Sequence, residues 1–206
     1  MKILCVSDIV APQLESAANL RRRYSDVELI VSCGDMPATY LEFITSIISV
    51  PLFYVRGNHD ERYTDYPPGG DDLHNRLLTY KGLSFFGLEG SIRYNRGKIQ
   101  YTQSEMMQKV LSLAPRMRFR RWRYGYAVDV LVTHSPARGI HDAPDLPHNG
   151  FDALLRFMDW YRPRYMLHGH VHTYDRRKTT RTQYHDTDIM NVNPFVLLDI
   201  EPLTGT

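Results

Sequence analysis

The chain of 206 residues and 24.0 kDa is 43% hydrophobic, enough to fill the core of one folded domain over 1–206, and this excludes the disordered class. Its 25 Lys and Arg against 23 Asp and Glu leave a net charge of only +2, so no whole-molecule field marks a nucleic-acid binder. The longest apolar stretch, 43–55, contains Thr45, Ser46, Ser49 and Pro51 and is too short to span a bilayer, and Asp8 interrupts the opening run where a signal peptide would need apolar residues; no membrane partner is expected.

Ile3 to Ser7 is a near-continuous apolar run of strand length, suited to a central strand covered on both faces. Leu14 to Tyr24 predicts a helix ending in Arg21, Arg22 and Arg23. Glu28 to Ser32 is a second strand, Thr39 to Ser49 a second helix with Leu41, Ile44, Ile47 and Ile48 as its buried stripe, and Pro51 to Val55 a third strand. Cys5 and Cys33 fall in these predicted strands as small buried thiols, which fits a reduced, cytoplasmic protein. Such alternation implies parallel strands with helical crossovers, whose ligand sites lie at the carboxyl ends of the strands.

From Arg62 to Asn75 the chain is polar and turn-rich and reads as a surface loop near the site. Leu77 to Tyr80 and Leu83 to Leu88, separated by Lys81-Gly82, predict a hairpin. Thr102-Gln103-Ser104-Glu105 has capping-box spacing and opens a helix reaching Leu113. Arg116 to Arg123 holds five arginines with Phe119 and Trp122; it reads as a solvated helix face, with an anion or nucleic-acid contact as the alternative. Strand Val128 to Val132, a loop from Ser135 to Asn149, helix Phe151 to Tyr161 and strand Tyr165 to His168 follow. Thr179 to Tyr184, Ile189 to Val192 and Phe195 to Ile200 then predict short strands closing a second sheet.

Chemistry-bearing side chains gather just after the strands: Asp8, Asp35, Asn58, His134, His170 and His172, with His59 and Asp60 beside them. Without a cysteine among them the set does not make a structural zinc site, and imidazole plus carboxylate suits Mn, Fe or Zn. Six groups exceed one tetrahedral sphere, so a shared carboxylate holding two metals is the fitting arrangement. His141 and His148 read as hydrogen-bonded loop histidines, with substrate contact as the alternative. Arg176, Arg177 and Lys178 follow His172 closely enough to lie near the site, and His74, His168 and His185 receive no role.

From Asp8 to His172 these motifs resemble the calcineurin-like metallophosphoesterase superfamily. The resemblance implies an α/β fold of two sheets in a sandwich flanked by helices, in four layers, and two divalent metal ions, with Mn expected and Fe, Zn or Ni as alternatives. It also implies that Asp8, Asp35 and His172 hold the first metal and Asp35, Asn58, His134 and His170 the second, with His59 as general acid and Asp60 orienting it. Where the family has Asp-x-His, this chain reads Asp8-Ile9-Val10, so the first site loses a ligand and is expected to be weakened, with Val10 close to it. The implied activity is metal-dependent phosphoester hydrolysis by in-line attack of a metal-bound hydroxide on a small phosphoester substrate, more in keeping with a phosphodiester than with a phosphoprotein. The rivals are a nuclease, if the arginine run lines the cleft, and a non-catalytic interaction module.

Overall fold

Period-two alternation in the strands dictates the layers. The computed structural model, which describes residues 1–172 and 179–202, starts with β1 (Lys2–Val6), α1 (Ala17–Arg23), β2 (Leu29–Ser32), α2 (Ala38–Ile48), β3 (Leu52–Tyr54) and β4 (Asp71–Asp72). In β1, Ile3 and Cys5 face one way and Leu4 and Val6 the other, and all four are buried. The next elements are β5 (Leu77–Tyr80), β6 (Leu83–Leu88), β7 (Ser91–Ile92), β8 (Gln100–Tyr101), α3 (Gln103–Ser112), α4 (Ala114–Tyr124) and β9 (Val130–Thr133). Last come α5 (Asp152–Tyr161), β10 (Tyr165–His168), β11 (Arg181–Tyr184), β12 (Thr187–Asn191) and β13 (Phe195–Asp199).

The strands make a five-stranded sheet, β13-β1-β2-β3-β4, and a six-stranded sheet, β11-β12-β10-β9-β6-β5, beside the small β7-β8 pair. Ile3, Cys5, Leu29, Val31 and Phe53 of the first sheet meet Phe85, Val130, Val132, Leu167 and Met190 of the second in a shared interior. The opposite face of the first sheet packs on Leu20 of α1 and on Leu41 and Ile44 of α2. Phe86, Leu131 and Met166 on the far face of the second sheet pack on α3, α4 and α5. This is the expected sandwich of two sheets flanked by helices. Each fully buried Leu, Ile or Phe in it contributes about 1.5–3 kcal/mol.

Local chemistry explains the element ends. At the tip of the β5-β6 hairpin, Lys81 and Gly82 both have positive φ (47° and 81°), the requirement of a type I′ turn. Thr102 and Glu105 form both halves of the capping box on α3, and Pro115 in the first turn of α4 separates it from α3. Three expectations need correction. Leu14 to Tyr24 is not one helix, because the Ser16 side chain accepts from the Asn19 N–H and starts α1 at Ala17. Asp71–Asp72, inside the expected 62–75 loop, pairs in parallel with β3 through Phe53 and Tyr54. Phe195 to Ile200 does not join the second sheet. Its strand returns to the first and lies antiparallel to β1, covering an edge that would otherwise expose the Lys2–Val6 ladder.

Candidate metal centre

Parallel pairing of β1 with β2 and of β2 with β3 brings three carboxyl ends side by side, and the parallel pair β9-β10 aims two more from the second sheet. Asp8, Asp35 and His170 all turn there with positive φ (64°, 55° and 68°), a costly conformation for residues other than glycine that concentrates at functional sites. The loops touch only because glycines leave room. A Cβ at Gly57 would lie 2.1 Å from Asp35 Oδ1, and one at Gly169 would lie 2.4 Å from Asp8 Oδ2.

Asp8, Asp35, Asn58, His59, His170 and His172 line one cleft of about 400 Å³ together with Tyr94, Pro147 and His148. His134, fully buried, contributes from within. Ligand atoms of Asp35, His134 and His170 lie within 4.8 Å of one another. Of the eight residues that the sequence singled out, seven therefore meet around one point; Asp60 stands behind them.

Tautomers follow from the partners, because a carbonyl oxygen only accepts. His134 Nδ1–H donates to Cys33 O at 2.8 Å, so Nε2 carries the lone pair. That Nε2 faces Asn58 Oδ1 at 3.1 Å and Asp35 Oδ2 at 3.3 Å, two more acceptors. The Asn58 amide is held in this orientation by its Nδ2, which donates to the Tyr94 hydroxyl at 3.1 Å. Three lone-pair atoms thus converge in a buried place, an arrangement that needs a proton or a cation at its centre. The donor set and the gap between its members fit a divalent metal. In its place a proton is favoured: although burial opposes it, the Asp35 and Asp8 charges push His134 up to about 9. Burial and the His134 charge pull His170 down to about 4, and its Nε2–H donates to Pro147 O at 2.7 Å, leaving Nδ1 as its lone-pair atom.

The other half of the cleft holds Asp8 and His172. His172 Nε2 is 3.7 Å from Asp8 Oδ1, and the His170 N–H donates to both Asp8 oxygens. Against the effect of burial, the His172 hydrogen bond and the His134 charge hold Asp8 well below the usual carboxylate range. Val10 is not in this cleft. It packs on the first-sheet core and lines a separate cavity with Pro37, Tyr40 and Phe43, so the expectation that it borders the first metal is corrected. Nor does Asp60 serve as expected: its Oδ2 accepts from the Asp35 and Gly57 N–H groups at 2.7 and 2.8 Å, tying two ligand loops together. Burial and the Asp35 charge push its carboxyl up to about 6.

His59 is exposed where the cleft meets a second cavity of about 650 Å³, lined also by Met36, Tyr63 and Tyr66, and its N–H donates to Asp35 Oδ1. The His148 ring lies tilted beside that of His170, with centroids 5.1 Å apart, and reaches the cleft. His141 does not. Starting from Gly169 O, which accepts from His168 Nδ1–H, the chain of bonds runs through His168 Nε2 to His141 Nδ1–H and from His141 Nε2 to the Thr182 hydroxyl. His168, given no role from sequence, thus braces the Gly169 turn. Tyr94 and the Pro147 carbonyl were also missed, since neither belongs to a motif.

Before the Gly57 turn, Arg56 is clamped by Glu89 at 2.7 and 3.1 Å, and the Glu89 N–H donates to His74 Nδ1. Burial, aided by the Lys109 and Arg56 cations and opposed by Glu89, pulls His74 down from 6.5 to about 4. Between those values the unfolded chain takes a proton that the folded chain refuses, so stability falls as pH drops through this window, by roughly 3 kcal/mol when complete. Urea unfolding of His74→Gln should therefore show a smaller loss from pH 6.5 to 4 than the wild type. Equal losses would remove His74 as the cause.

Residues 1–174 match the family model described as calcineurin-like phosphoesterase. Among solved structures, TT1561 of Thermus thermophilus is similar with a TM-score of 0.62 and 13% identity, over 93% of this chain and 88% of that one. GAP50, the anchor in the inner membrane complex of Plasmodium, is similar with a TM-score of 0.53 and 12% identity, over 93% and 70%. No curated protein matches the chain significantly.

Proposed function

The chain belongs to the calcineurin-like phosphoesterase family, and from that premise we propose that it is a metal-dependent phosphodiesterase acting on a small phosphoester, built as one domain and working in the reducing cytoplasm that its two free, buried cysteines suit. The observation that carries the reading is the convergence of His134 Nε2, Asp35 Oδ2 and Asn58 Oδ1, a buried donor set that fits a divalent cation. Asp35, Asn58, His134 and His170 would hold one metal, and Asp8, His172 and Asp35 a second; carboxylate and carbonyl oxygens suit Mn and imidazoles suit Fe, Zn and Ni, and Mn is our choice among them. Bound cations supply water activation and neutralise charge on the phosphoryl oxygens.

The protein's own part is to orient and protonate. Tyr94 and Cys33 O aim the Asn58 and His134 ligand atoms inward. His59, at the junction of two cavities, is placed to protonate the leaving oxygen as the ester arm departs into the 650 Å³ cavity lined by Tyr63 and Tyr66. That second compartment favours a diester, which has two organic arms to lodge where a monoester has one. The arginine run lies on α4, against the outer face of the second sheet, which removes the ground for a nuclease in which those arginines line the cleft.

With metal-stripped protein reloaded with Mn, bis-p-nitrophenyl phosphate should be hydrolysed faster than p-nitrophenyl phosphate. The opposite order would make the protein a phosphomonoesterase, and loss of metal without turnover on either ester would favour the interaction module. His59→Ala should lower kcat by about 100-fold on an alkyl ester with a poor leaving group, yet by only a few-fold on a p-nitrophenyl ester, which leaves unprotonated. Equal losses on both would end its role as the acid.

A further inference from the structure

α4 carries five arginines, Arg116, Arg118, Arg120, Arg121 and Arg123, and no acidic residue. Only Met117 of this helix is fully buried, while Trp122 is 79% and Phe119 59% exposed. At roughly 100° per residue, Phe119 and Trp122 fall on the side opposite Met117, with Arg118 and Arg121 along one flank and Arg116 and Arg123 along the other. Their rings are neighbours, with centroids 5.9 Å apart. The outermost line of the helix is therefore aromatic, and cations border it on both sides.

Among the described residues the arginines of α4 are steadied without an acidic partner. Arg116, Arg120 and Arg121 donate to the backbone carbonyls of Leu77, Ala127 and Trp160, and Arg120 and Arg123 lie over the Tyr124 ring. On neighbouring α5 the Asp159 carboxylate, which shares a cavity with Arg118 and Arg121, is engaged by the Tyr184 hydroxyl at 3.0 Å and by His185. A chain of net charge only +2 thus concentrates cationic and aromatic side chains on one convex strip, and leaves it uncovered.

We propose that α4 is a peripheral docking surface for an anionic lipid membrane, with Phe119 and Trp122 entering the headgroup layer and the flanking arginines meeting lipid phosphates and carboxylates. Charge complementarity chooses the occupant. A second copy laid face to face would oppose five arginines to five more. A helix reading a nucleic-acid groove leads with its cations, whereas here the foremost side chains are apolar and the cations stand behind them, the order of a helix lying in a membrane interface. The lack of a bilayer-spanning helix among the described residues does not bear on this, since such docking inserts side chains only. Because the carboxyl ends of the strands form the cleft and α4 runs into the start of β9 at the other end, a docked molecule keeps its cleft open to substrate.

The test is co-sedimentation of the whole chain with phosphatidylcholine vesicles, with and without phosphatidylserine, at low and high salt. Binding is expected only with phosphatidylserine, weakening as salt rises, with a blue shift of tryptophan emission that Trp122→Ala removes. Arg118→Ala and Arg123→Ala should each weaken binding by roughly fivefold, and Phe119→Ala/Trp122→Ala should abolish it while hydrolysis of a soluble ester stays unchanged. All four side chains lie outside the core, and unchanged hydrolysis verifies folding. Equal affinity for neutral vesicles, no vesicle binding, binding unaltered in the double variant, retention of an oligonucleotide instead, or a concentration-dependent dimer that the double variant lacks would each overturn the proposal.

Discussion

His134→Ala should leave turnover at background even with Mn in excess. Two losses coincide at this position: a proposed metal ligand and the donor to Cys33 O. Removing a group that merely supports a ligand costs about 10–100-fold, so removing the ligand itself should exceed about 100-fold. The abandoned Cys33 carbonyl, buried between strands, adds a stability loss of about 1–3 kcal/mol. Circular dichroism and thermal unfolding separate the two effects. A folded His134→Ala that turns over at the wild-type rate would show that His134 holds no catalytic metal.

Gly57→Ala should be nearly as damaging, although glycine coordinates nothing. The new methyl would sit 2.1 Å from Asp35 Oδ1 and 2.6 Å from Asp35 N, while Asp35 is already in a positive-φ turn with its N–H held by Asp60. The carboxylate between the two halves of the cleft must move. We expect kcat/KM to fall by more than about 100-fold and stability by about 1–3 kcal/mol. Gly69→Ala is the matched control, because a Cβ there meets no heavy atom within 4 Å. Full activity in Gly57→Ala, or the same loss in Gly69→Ala, would detach the glycine from the site.

Strand ends carrying Asp, Asn or His were legible in the sequence because apolar runs stop abruptly at them, and parallel pairing then has to bring those ends together. The hairpin and the capping box depend on neighbours in sequence, and they form where those neighbours place them. Val10 was a different matter. Spacing from Asp8 says how far along the chain it lies, but the positive φ at Asp8 rotates the residues after it, and the side chain turns toward α2. Asp60 carried the right residue type for orienting a histidine, yet its partners are backbone amides, which no side-chain pattern records. Tyr94 comes from a loop 36 positions beyond Asn58, and β13 crosses to the first sheet because β1 has an edge to cover, a demand created only by the assembled sheet.

That last pairing has a bearing on biosynthesis. β1 is synthesised long before its neighbour β13, and Asp8 must wait for His170, 162 residues later. At about 5–20 residues per second the interval is roughly ten to forty seconds. Until β13 arrives the Lys2–Val6 strand has one unpaired side, and until the 134–172 segment is made the nascent chain lacks part of each half of the cleft. Under the proposed ligand set a cation could not be fully held before His172 is made, and the nascent first sheet is the part that a chaperone would have to shield.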